Sequence, residues 1–179
     1  MSDPGDEYSE TIDADLGSIK TELIDDSVLD DTLAVLTPPE PVCVSENVTV
    51  QAAVDAMLSR RHAGVLIVDA SGRLAGIFTE RDVLMRVVGR NLDPGRTPVG
   101  AVMTPNPTAL TIHDRVAYAL HSMSVAGYRT IPIVDESGRP TGVITASDVI
   151  TWLSDLFPEA VLNLRPGDRV KNPHVIDAG

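Results

Sequence analysis

The sequence predicts a mixed α/β (α+β) fold made of two tandem β-α-β-β-α units that pack against each other, with near-symmetric sites between them. Three observations lead there. The chain repeats itself at an offset of 66 residues: Gly72-Arg-Leu-Ala-Gly-Ile-Phe-Thr-Glu-Arg-Asp-Val83 returns as Gly138-Arg-Pro-Thr-Gly-Val-Ile-Thr-Ala-Ser-Asp-Val149. The register runs without a gap from Leu36/Val102 to Val83/Val149, and 15 of those 48 pairs are identical, including Pro39/Pro105, Pro41/Pro107, Met57/Met123, Asp69/Asp135, Thr79/Thr145 and Asp82/Asp148. Repetition at a fixed period sets the architecture before any local reading. Both copies also show the same order of strand and helix patterns. Finally, hydrophobic residues make up 43% of the chain and aromatics only 3%, which requires an aliphatic core. A unit of about 60 residues is marginal by itself, so two copies bury their apolar sheet faces together.

The elements follow in order. Residues 27–36 read as a short helix, stopped by Pro38, Pro39 and Pro41. Residues 42–44 form a short strand. Over residues 49–58, Val50, Ala53, Val54, Met57 and Leu58 fall on one face at helical spacing, with Ser45 or Asn47 as the cap. The run 65–68 is a strand short and apolar enough to be buried on both faces. Asp69–Gly72 is a turn by composition, 74–78 the second strand of a hairpin, and 80–88 a helix ending before Gly89. The second copy repeats the order: a short helical lead-in at 99–103, a strand at 108–110, a helix over 113–125, strands at 131–134 and 141–144, and a helix over 146–156 that Pro158 ends. The resulting division is an acidic head (1–31), two units (32–98 and 99–157) and a C-terminal tail (158–179).

The net charge of −12 is unevenly placed, since residues 1–31 carry 11 acids against Lys20 and the remainder carries 15 acids against 13 bases. An acidic, aromatic-poor head cannot offset its ordering entropy by burial, and reads as disordered. Without a basic stripe the chain would repel polyanions, which argues against a nucleic-acid partner. No apolar run approaches the roughly 20 residues of a spanning helix, and the N-terminus has no apolar signal core. The single Cys43 fits a reducing compartment. The expectation is a cytoplasmic protein with no membrane partner.

The pattern Gly-apolar-apolar-Thr-x-x-Asp after a strand, in Gly76-Ile-Phe-Thr79-Glu-Arg-Asp82 and Gly142-Val-Ile-Thr145-Ala-Ser-Asp148, resembles the cystathionine-β-synthase-type (CBS) domain. Ile131-Pro132-Ile-Val-Asp135 and Met103-Thr-Pro-Asn-Pro107 extend the resemblance over roughly residues 33–156. It implies a CBS pair, or Bateman module, whose two units pack by pseudo-twofold symmetry through their sheets and enclose two clefts. Such clefts commonly bind AMP, ADP or ATP, and sometimes S-adenosylmethionine or NAD. The resemblance further implies a homodimer that senses a ligand and regulates a separate protein, with no cofactor required.

The residues support this independently. Thr79 and Asp82, repeated as Thr145 and Asp148, stand where a strand passes into a helix, a place that offers free backbone N–H groups to an anion. A carboxylate one turn in accepts ribose hydroxyls, as in other nucleotide folds. The same Thr-x-x-acid spacing is also a helix-capping signature, and one residue can serve both ends. In the family the ribose acid of one unit faces the segment before the buried strand of the other. For Asp82 this implies Tyr128-Arg129-Thr130, with Arg129 as a hydrogen-bond donor to phosphate. For Asp148 it implies His62-Ala63-Gly64, with no fixed cation. The principal site is therefore expected at Thr79, Asp82, Arg129 and Thr130, with a lesser one at Thr145 and Asp148.

Other candidates lead to bland readings. His62, His113, His121 and His174 lack the Cys or carboxylate neighbours of a metal site, and His113 reads as a cap. Cys43 reads as a small buried hydrophobe, and Trp152 and Phe157 as core packing or a dimer contact. There is no nucleophile elbow and no Gly-Lys-Ser/Thr phosphate loop, so no catalytic residue is expected. The remaining alternative is an interaction scaffold with vestigial clefts.

Overall fold

A computed structural model describes residues 29–156. The readings of the head up to residue 28, the tail from 158, Phe157, His174 and the stop at Pro158 lie outside the described residues.

The first copy contains β1 (Cys43–Ser45), α1 (Val50–Arg60), β2 (Gly64–Val68), β3 (Leu74–Thr79) and α2 (Glu80–Asp82). The second contains β4 (Thr104–Pro105), α3 (Val116–Ala126), β5 (Thr130–Val134), β6 (Pro140–Thr145) and α4 (Ala146–Leu156). The lead-in to the first copy is a 3₁₀ turn, Leu33–Leu36, and that to the second another, Val99–Ala101.

Local corrections have identifiable causes. The cap of α1 is Thr49, whose side chain accepts from the Ala52 N–H at 3.2 Å; Ser45 instead accepts from Asn47 within its own turn. Leu58 leaves the expected apolar face and is exposed. Helix α3 begins after His113, and the hydrogen-bonding corner before it belongs to Thr111, which donates N–H and hydroxyl to Asp114. The expected helix over 80–88 keeps α geometry only through α2, then widens into a π turn, Val83–Val87, and tightens into a 3₁₀ turn, Val88–Arg90. Val88 and Gly89, both weak helix formers, fall in that 3₁₀ turn. Cys43 lies exposed on an edge strand rather than buried.

Strand β1 pairs parallel with β2, which pairs antiparallel with β3. In the second copy β5 and β6 pair in the same way, but the strand expected at 108–110 shrinks to one parallel bridge, Leu110 to Ile133. Proline explains the loss. The Leu66 N–H donates to Val42 O at 2.8 Å, and its counterpart Pro132 has no N–H to give Thr108.

Each lead-in crosses to the other copy. Strand β4 adds to β3 through Gly76↔Pro105 and Ile77↔Thr104, and the Val143 N–H donates to Pro39 O at 3.2 Å. Two cores result. Val99 and Val102 complete the first, among Val50, Ala53, Met57, Val65, Ile67 and Phe78. Leu33 and Leu36 complete the second, among Val116, Ala119, Ile131, Ile133, Ile144 and Val149. This exchange explains the repeated motif glycine: a Cβ at Gly76 would run into Met103 Sδ, and one at Gly142 would lie 2.9 Å from the Pro38 ring.

Candidate functional site

The site begins where β3 passes into α2. The Thr79 N–H and hydroxyl both donate to Asp82 Oδ2, at 2.9 and 2.8 Å. At the start of α4 the Thr145 N–H and hydroxyl donate to Asp148 Oδ2, both at 2.7 Å. The capping geometry read in the sequence is thus formed in both copies. Each carboxylate keeps its Oδ1 outside this cap. Asp82 is only 8% exposed and is the one buried charged residue among those described. Its Oδ1 lies 3.3 Å from Arg86 Nε. The position equivalent to Arg86 in the second copy is Trp152, which packs against the second core.

Beside Asp82 opens a cleft of about 880 Å³. Thr79 and Asp82 line it from the first copy, and Arg129 and Thr130 from the second. Thr130 starts β5, and the Arg129 carbonyl is held by the Ala146 N–H at 3.0 Å, which fixes that wall to the start of α4. The crossing segment after β4 (Asn106, Pro107 and Thr108) forms another wall. Four of the six residues singled out in the sequence therefore meet at one cleft. Thr145 and Asp148 do not line it; they hold the equivalent corner of the second copy.

Sequence reasoning missed Arg81, Arg86 and Met85, which also line the cleft. Arg86 carried a signal, because an arginine four residues after an aspartate on a helix is a pairing distance. With Arg81, Arg86 and Arg129 against Glu80 and Asp82, the cleft is locally positive on a chain of net charge −12. No described helix is long and apolar enough to cross a membrane, and among the described residues no group of three or more His, Cys, Asp or Glu is placed to hold a metal ion.

The fold and this shared cleft define a paired-repeat module. The CBS domain matches residues 34–89 and 99–155, and the chain belongs to that family. Over 112 residues it is 36% identical to the meiotically up-regulated gene 70 protein of Schizosaccharomyces pombe, covering 63% of this chain and 15% of that protein. It spans only 14–22% of the length of this and the next Arabidopsis thaliana relatives. Among solved structures it resembles the CBS domain protein PAE2072 from Pyrobaculum aerophilum complexed with AMP, with a TM-score of 0.64 at 22% identity, covering 72% of this chain and 99% of that one. It likewise resembles the CBS domain pair of protein MJ0100 in complex with 5′-methylthioadenosine and S-adenosyl-L-methionine, with a TM-score of 0.62 at 22% identity, covering 73% and 98%.

Proposed function

We propose that the chain is a regulatory CBS pair that binds an adenosine nucleotide (AMP, ADP or ATP) in the Asp82 cleft and passes its occupancy to a separate protein. One observation carries this: Thr79 and Asp82 from one copy and Arg129 and Thr130 from the other line a single cleft of about 880 Å³, a size suited to a small-molecule ligand. Asp82 Oδ1 accepts from the ribose, Thr79 and Thr130 offer hydroxyls, and Arg129 meets phosphate. A ligand gripped by both copies favours one arrangement of the pair over another, which is what a partner can read. CBS pairs are typically regulatory, non-catalytic modules, and we place this one in that class, without an activity of its own. The ligands named for PAE2072 and MJ0100 support an adenosyl compound, and the excess of arginine supports a phosphorylated one over S-adenosylmethionine. Thr145 and Asp148 form the lesser site.

The proposal extends to a cytoplasmic homodimer. The free thiol of Cys43 fits the compartment, and the exposed Leu84, Met85 and Val88 fit an interface. Isothermal titration of AMP and ATP tests the central claim: wild type binds, and Asp82→Ala binds about ten- to a hundredfold more weakly. Equal affinity in the two proteins overturns it.

A second reading, a scaffold with vestigial clefts, draws on the caps, which already engage Oδ2 of both aspartates. A thermal-shift panel separates the two. Ligand at about 100 Kd stabilises by about 2.7 kcal/mol, and no shift with any adenosine compound favours the scaffold.

A further inference from the structure

We infer that Arg86 is a specificity-determining residue that makes the Asp82 cleft demand an anionic ligand and reject an uncharged adenosyl one. This rests on the reading of the cleft as an adenosine-compound site and adds to it a choice of ligand class.

A carboxylate offers about four lone-pair sites. On Asp82, Oδ2 takes two donors from Thr79, and Oδ1 faces Arg86 Nε at 3.3 Å. A ribose cis-diol brings two O–H donors and finds Oδ1 shared with a guanidinium. The neutral part of a nucleoside therefore meets an acceptor already partly engaged. Arg86 is in turn held from behind: its Nη1 donates to the Val102 carbonyl at 3.0 Å and to the Met103 carbonyl, the two residues that lead into β4. Among the described residues its Nη2 has no hydrogen-bond partner, while the side chain lines the cleft.

A guanidinium carries five N–H donors in a rigid fork. Here one nitrogen faces Asp82, one is fixed on backbone, and the third remains for a ligand. An anionic group gains a charge-assisted contact there that offsets the crowding at Oδ1. An uncharged adenosyl compound meets the crowding and gains nothing in return. Arg129 differs in kind: it faces the same cleft without touching Asp82, so it adds attraction for phosphate and takes nothing from ribose.

The test is titration calorimetry of AMP and of adenosine against wild type, Arg86→Gln and Arg129→Gln, with circular dichroism to confirm folding. Wild type prefers AMP to adenosine by at least about tenfold, the scale of one charge-assisted contact. Arg86→Gln reduces that ratio about tenfold and binds adenosine more tightly than wild type. Arg129→Gln weakens AMP without tightening adenosine. Tightening of a neutral ligand is a readout that general damage to the fold would not produce. A wild type that binds both compounds equally overturns the inference even if Arg86→Gln does not fold, as does an unchanged ratio in Arg86→Gln. A wild type that binds neither overturns the reading of the cleft itself, and this inference with it.

Discussion

In the first copy, Asp82 is capped by Thr79, paired with Arg86 and set beside a cleft lined by arginines. In the second, Asp148 is capped by Thr145 in the same way, but Trp152 stands where Arg86 would be and Ala63 where Arg129 would be. The shared motif therefore builds the same corner twice, and the residues four positions later and across the interface are what differ between the two. A repeated motif locates a site; its surroundings assign the chemistry.

Several substitutions break or sharpen that contrast. The largest effect is expected in ligand binding. Asp82→Ala should weaken AMP by about ten- to a hundredfold, the range for a hydrogen bond to a charged group, while Asp148→Ala leaves the principal affinity nearly unchanged by titration calorimetry. The reverse order would make the second corner the main site.

Next come the glycines. Gly76→Ala and Gly142→Ala should each destabilise by about 1–3 kcal/mol in urea melts through overpacking. Gly142→Ala should cost the more, because the added methyl meets the rigid Pro38 ring whereas Gly76 faces the flexible Met103 side chain. Equal costs would show that the two crossings yield alike.

The caps should behave as twins. Thr79→Val and Thr145→Val each lose about 0.5–2 kcal/mol, the range for removing a capping side chain, and a large difference would show that the two corners are not equivalent even as caps.

The smallest effect concerns pH. Hydrogen bonds from Ser71 and Ser137 lower the folded-state pKa of Asp69 and Asp135. A depressed carboxylate stabilises above its unfolded value, near 3.9, and loses that contribution as pH falls through the lower folded value. Melting temperatures of Asp69→Asn and Asp135→Asn should therefore lie slightly below wild type at neutral pH and converge on it in acid, equally for both. Unequal convergence would mean that the two hairpins differ.

Much of this was legible in the sequence. The repeat gave two β-α-β-β-α copies and their order, and α4 spans the expected 146–156. Thr79, Asp82, Arg129 and Thr130, singled out in the sequence, line one cleft. What could not be read depends on contacts distant in sequence or on backbone chemistry at one atom. The loss of the 108–110 strand turns on the missing N–H of Pro132. The exchange of lead-ins shows only once Val99 and Leu33 are placed in opposite cores, since apolar spacing says that a residue is buried but not in which half. Arg86 lay at a recognisable pairing distance from Asp82, yet its hold on the Val102 and Met103 carbonyls, 16 and 17 residues away, required the fold.

The crossing of Leu33 and Leu36 one way and Val99 and Val102 the other has a consequence for how this molecule could be divided. A polypeptide severed between residues 92 and 98 would yield two fragments, each carrying the plug for a hole in its fellow. Neither would be whole when made singly, and mixing them would be a complementation reaction with the gaps as its driving force. The two halves stand or fall together, however plainly the sequence advertises two.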